Sequence, residues 1–127
     1  MEDRERVEAL KLITHIMLRM GFHANQYGYR YLREAICQCM ADPELLTSVT
    51  KLLYPTVAKI YGVDCKKIER AIRTSIETAW REEKWNIVDR VFGTDIDYHQ
   101  KRPTNTDFID GMIKYMSREK DYFEDIC

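Results

Sequence analysis

Apolar residues recur every three or four positions along nearly the whole chain and no segment alternates with a period of two, so the pattern predicts helices and no sheet. Val7, Leu10, Ile13, Met17 and Met20 form a first stripe, and Gly21 is placed to end that helix. A second helix runs from about Tyr29, with Leu32, Ala35, Ile36, Cys39 and Met40 on one side, to the break at Asp42-Pro43. Leu45, Leu46, Val49, Leu52 and Leu53 mark a third, which should end near Tyr54 because a residue before proline is pushed out of helical geometry. Pro55 suits the first turn of a short helix, where no N–H is needed; Val57, Ala58 and Tyr61 face inward and Gly62 stops it. Asp64 is placed to cap a long helix with Ile68, Ala71, Ile72, Ser75, Ile76, Ala79 and Trp80 on its buried side. A short helix from Trp85 to Phe92 ends at Gly93, and a polar stretch runs from Thr94 to Arg102. After Pro103, Thr104 or Asn105 caps a last helix carrying Phe108, Ile109, Met112, Ile113 and Met116. The expected fold class is all-α, a bundle of about six helices.

Composition narrows this picture. A chain of 127 residues is one domain's worth, and 45% hydrophobic residues with 32% charged ones describe a folded core under a solvated exterior. Five Gly and three Pro leave no candidate linker, so residues 1–127 read as a single domain. Met17, Met20, Tyr31, Tyr54, Trp80 and Phe108, at helical spacing, are core residues. The N-terminus MEDRERVEAL puts acids where a secretory signal would be basic, and no apolar run could cross a bilayer, so a cytoplasmic protein with no membrane partner is expected. Cys37, Cys39, Cys65 and Cys127 contain no C-x-x-C pair; they are expected to be reduced and to hold no metal. His15, His23 and His99 are scattered, and Asp89, Asp95 and Asp97 lack the glycine and terminal glutamate of a calcium loop, so these acids read as solvated. Neither an enzyme nor a cofactor is expected from this inventory.

Charge adds a different signal. The whole chain sets 20 Lys plus Arg against 21 Asp plus Glu, a formal net of -1, which argues against a general nucleic-acid coat. From Lys51 to Arg81, however, Lys51, Lys59, Lys66, Lys67, Arg70, Arg73 and Arg81 face only Asp64, Glu69 and Glu77, a local net of +4 that leaves -5 elsewhere. The segment from Pro55 to Arg81 has the anatomy of a helix-turn-helix: a short helix with small Ala58, a turn at Gly62, and a second helix with a polar outer face. Lys66, Lys67, Glu69, Arg70, Arg73 and Thr74 crowd the first half of that second helix, the part that enters the major groove in this motif. Arginine can donate two hydrogen bonds to guanine O6 and N7, and glutamate can accept from cytosine N4. An alternative reading makes Glu69 and Arg73, four residues apart, a surface ion pair worth about 0.3 kcal/mol.

Four blocks carry a family resemblance: YLREAI at Tyr31 to Ile36, TKLLYPTVAKIYGV from Thr50 to Val63, IERAIRTSIETAW from Ile68 to Trp80, and RPTNTDFI from Arg102 to Ile109. They resemble the C-terminal effector domain family of the stage-zero sporulation protein A, from about Leu12 to about Met116. The resemblance implies a six-helix DNA-binding domain that recognises a short promoter element, binds as a tandem head-to-tail pair and touches RNA polymerase. It places Lys67, Glu69, Arg70 and Arg73 at the base-reading positions, with Lys67 where the family has arginine and Thr74 where it has histidine. Lysine lacks the planar fork of arginine, so the base preference at Lys67 is expected to differ. Lys51, Lys59, Lys66, Thr74, Lys101 and Arg102 are the expected contacts to the DNA backbone or beside it. Arg81, Glu82, Glu83, Lys84 and Trp85 stand where the family has a small, glycine-containing turn and a polymerase-facing surface.

The family's regulators carry a receiver domain ahead of the effector part, and the leading MEDRERVEALKLI reads as a helical start, which favours a free-standing effector. The expected function is sequence-specific recognition of promoter DNA. The alternative is a protein-interaction module that binds the full-length regulator or polymerase without reading DNA.

Overall fold

Glycines and short polar side chains end or begin most of the helices. The computed structural model describes the backbone of residues 1–126 and the side chains of residues 1–119. Among the described residues six α-helices follow one another: α1 (Asp3–Arg19), α2 (Tyr27–Ala41), α3 (Tyr54–Tyr61), α4 (Cys65–Trp80), α5 (Trp85–Phe92) and α6 (Asn105–Ile126). Among the described residues there is no strand. Gly21, Gly62 and Gly93, each just past a helix end, all have positive φ. Asp64 caps α4, its Oδ1 accepting the Lys67 backbone N–H at 2.7 Å. Thr104 is the cap of α6, its hydroxyl accepting from the Asp107 N–H at 3.1 Å.

Helix α2 is the central element and lies against α1, α3, α4 and α6. Its approach to α4 is so close that a Cβ on Gly28 would sit 1.9 Å from the Ala71 carbonyl oxygen. Glycine is required there for space. Ile13, Met17, Leu32, Ile36, Ile68, Ile72, Ile76, Phe108, Ile109 and Met112 form the fully buried centre. At one end Trp80, Phe92 and Phe108 pack ring against ring at 5.3–6.0 Å, and the Trp80 indole N–H donates to the Tyr98 carbonyl at 2.8 Å, joining α4, α5 and α6.

Across the α1–α2 contact, Arg6 donates to Glu34 Oε1 at 2.6 Å and Gln38 to Oε2 at 2.9 Å. Burial pushes the Glu34 carboxyl up, but these hydrogen bonds and the charges of Arg6 and Arg33 together outweigh it and hold it below the usual carboxylate value. Cys37 and Cys39 are buried and unpaired, and burial pushes the Cys39 thiol up to about 11. Cys65 is half-buried and unpaired, whereas Cys127 lies outside the described residues. No helix among the described residues is long and apolar enough to cross a membrane.

Three sequence expectations need correction. Val7 is 49% exposed; the inward face of α1 is Ala9, Ile13, Ile16, Met17 and Met20. At 100° per residue Val7 lies about 135° round the helix from the centre of that face, and the contact with α2 decides which face is buried. The third helix is instead a 3-10 turn (Pro43–Thr47) and a π-helical turn (Val49–Leu53), with Leu52 on the surface. Tyr54 keeps helical dihedrals despite the proline that follows, so the π turn runs straight into α3. Pro55 sits in the first turn of α3, where proline is best tolerated, and the buried Tyr54 hydroxyl accepts from Asn105 Nδ2 at 3.0 Å. Finally, Tyr61 is 38% exposed at the rim, with its ring edge on Tyr31 at 4.9 Å.

Candidate nucleic-acid interface

Helices α3 and α4 are joined by a tight turn at Gly62. Gly62 is left-handed (φ 66°), and the Val63 N–H reaches back to the Ala58 carbonyl at 3.1 Å. Val57 and Ala58 bury the inner side of α3; Ile68, Ile72, Ser75, Ile76 and Ala79 bury that of α4. Six buried positions at this spacing, Trp80 included, fix the rotation of α4 about its axis. Its outward face then carries Lys66, Lys67, Arg70, Arg73 and Thr74, all exposed, with Glu69 half-buried at the edge.

Two clefts flank this face. One, of about 670 Å³, lies between α4 and the start of α2 and is lined by Asn25, Gln26, Tyr27 and Gly28 opposite Lys66, Lys67, Arg70 and Thr74. The other, of about 500 Å³, lies on the α6 side and is lined by Thr50, Tyr54, Glu69, Arg73 and the segment from Lys101 to Thr106. Eight of the ten residues singled out from sequence therefore line one cleft or the other. Lys51 and Lys59 are exposed but line neither.

The clefts differ electrostatically. On the α6 side, Arg73 is paired with Glu69 at 2.7 Å and Arg102 with Glu77 at 2.8 Å. The ion pair weighed as an alternative for Glu69 is thus present. Asn105 braces it, donating to the Glu69 carbonyl oxygen at 3.1 Å as well as to Tyr54. On the α2 side, Lys66, Lys67 and Arg70 make no ion pair among the described residues. The carboxylate lining that cleft, Asp64, is engaged in capping α4. This leaves the α2-side cleft with cations that a polyanion can meet without first breaking a salt bridge.

Sequence reasoning did not find Tyr27, Asn25 or Gln26, and gave Asn105 only as a possible cap of the last helix. Their roles depend on which helices touch; the one local signal was Gly28, a glycine inside an aromatic-rich helix start. Asp89 also departs from expectation: it meets His99 Nε2 at 2.6 Å, while His99 stacks on Trp85 at 4.3 Å, so this acid is tied down and not simply solvated. In the turn after α4, Glu83 adopts φ 52°, the described non-glycine residue with positive φ.

The described residues thus form an all-helical frame built on α2, with a cation-bearing helix following a tight glycine turn. The family model described as "Sporulation initiation factor Spo0A C terminal" matches residues 13–116, which include the end of α1, all of α2 to α5 and the first half of α6; the chain belongs to this family of sporulation DNA-binding effector domains.

Proposed function

We propose that α3 and α4 act as a helix-turn-helix within one domain and that α4 enters the major groove of promoter DNA. Lys67, Glu69, Arg70 and Arg73 meet base edges; Lys51, Lys59, Lys66, Thr74, Lys101 and Arg102 meet the backbone or lie beside it. The observation that carries this reading is the run of unpaired cations Lys66, Lys67 and Arg70 on the first half of α4, held outward by six buried positions behind it. A helix that needs no salt bridge broken before it meets phosphate gains the full benefit of counterion release.

The Glu69–Arg73 pair refines the assignment. The carboxylate holds the guanidinium in one orientation, so the two reach the groove as a unit: Arg73 donates to guanine O6 and N7 while Glu69 keeps a lone pair for cytosine N4. Binding as a tandem pair and contact with RNA polymerase belong to the same reading, supported by family membership. The protein acts in the cytoplasm as a regulator, without catalysis.

The reading is tested by titrating the isotope-labelled protein with a promoter duplex and following amide shifts. The expected result is that the largest changes fall on Lys66 to Thr74 and on Lys101 to Thr104. Changes centred on α1 or α5 with α4 unaffected would refute it.

A further inference from the structure

Lys67 differs from the other cations on α4 that make no ion pair among the described residues, Lys66 and Arg70, in lying over an aromatic ring. Its Nζ lies 5.4 Å from the ring centroid of Tyr27, a residue 62% exposed at the first turn of α2. Tyr27 stacks on Tyr31 at 6.2 Å, and its neighbour Gly28 is pressed against the α4 backbone at Ala71. Arg30 adds a second cation over the same ring at 5.9 Å.

A free lysine has a flexible four-carbon stem and an ammonium with no preferred plane, which makes it a poor reader of one base. An aromatic face anchored on another helix supplies the missing direction, because the ring quadrupole draws the ammonium to one side of α4. We infer that Tyr27 is a positioning residue for Lys67, confining its ammonium to the α2 side of α4 and so setting the base preference at that edge of the DNA site. This rests on the DNA-reading assignment of α4 made above.

Two measurements separate the inference from that assignment. In the free protein, the ring should shift the Lys67 ε-methylene protons upfield; the shift is expected to vanish in Tyr27→Leu and persist in Tyr27→Phe. Its absence from the wild type overturns the inference whatever the protein binds. On duplexes selected from a random pool with the wild-type chain, Lys67→Met identifies the base pair that Lys67 reads. Tyr27→Leu is expected to reduce discrimination at that same base pair about two- to five-fold, the equivalent of one exposed cation–π pair. It should leave affinity for a scrambled duplex unchanged, have no further effect in the Lys67→Met background, and be matched by no such loss in Tyr27→Phe. A uniform loss on all duplexes, or losses from Tyr27→Leu and Lys67→Met that simply multiply, overturns the inference while the reading of α4 stands. A wild type that prefers no duplex overturns both.

Discussion

Gly28→Ala probes the joint on which the interface depends. The added Cβ would meet the Ala71 carbonyl oxygen at 1.9 Å, its carbon at 2.6 Å and Ser75 Cβ at 2.9 Å. The first two are backbone atoms of α4 and cannot rotate away. Restoring ordinary contact requires α2 to withdraw by about 1.5 Å, and gaps of that order forfeit half or more of the dispersion energy between facing side chains. Leu32, Ala35 and Ile36 on α2 and Ile68, Ile72 and Ser75 on α4 are buried in the affected core. Overpacking of this kind costs about 3 kcal/mol, and the better helix propensity of alanine returns less than about 1 kcal/mol. The net loss is therefore about 2 kcal/mol. Urea unfolding followed by far-UV circular dichroism should show it as a midpoint lowered by about 1 M at unchanged slope.

Gly62→Ala is the internal comparison. A Cβ there meets open space but φ is +66°, so only backbone strain of about 1 kcal/mol applies. If Gly28→Ala is as stable as the wild type, or costs no more than Gly62→Ala, the close approach at Gly28 does not constrain the packing of α2 on α4.

Two further predictions follow from pairs that span helices. Arg6→Ala leaves the buried Glu34 carboxylate without its cation and should cost about 1 kcal/mol at pH 7, a figure kept low because Arg6 is partly exposed. The folded Glu34 pKa lies below its unfolded value, so its contribution is present above the unfolded pKa and is lost as pH falls through the folded one; the gap between wild type and Arg6→Ala should close in acid. A gap that widens as pH falls would contradict this. Asn105→Leu removes hydrogen bonds to Tyr54 and Glu69 and should cost about 2 kcal/mol in thermal or urea unfolding. It should also move the amide signals of α4 near Glu69, and unchanged α4 signals would show that Asn105 does not brace that edge.

Local chemistry made much of the fold legible from sequence. Gly21, Gly62 and Gly93 mark chain reversals because left-handed φ is nearly free only for glycine, and Asp64 announces α4 because an N-cap carboxylate satisfies an N–H that helix geometry leaves open. Where tertiary contact decides, the reading went astray. Val7 is as apolar as Ile16, and only the packing of α1 on α2 selects Ile16 for burial. Tyr54 stays helical before Pro55, and its buried hydroxyl is met by Asn105, 51 residues away, a contact that nothing local announces. On the candidate interface, the stripe of α4 identified its cations, but pairing distinguished them. The Glu69–Arg73 spacing allowed an ion pair and the structure contains one. Tyr27 lay beyond reach because nothing local connects it to Lys67, forty residues on.

If the unpaired face of α4 reads bases, Arg70 tests it most directly, since among the described residues no carboxylate pairs with it. Dissociation constants of the wild type and Arg70→Ala should be measured at one fixed salt concentration, on a selected promoter duplex and on a scrambled duplex of the same composition. The account predicts a loss of about 1–3 kcal/mol on the selected duplex, a relaxed preference at one base pair, and a much smaller change on the scrambled duplex. Equal losses on the two duplexes would contradict it, reducing Arg70 to a phosphate contact and α4 to a surface that holds DNA without reading it.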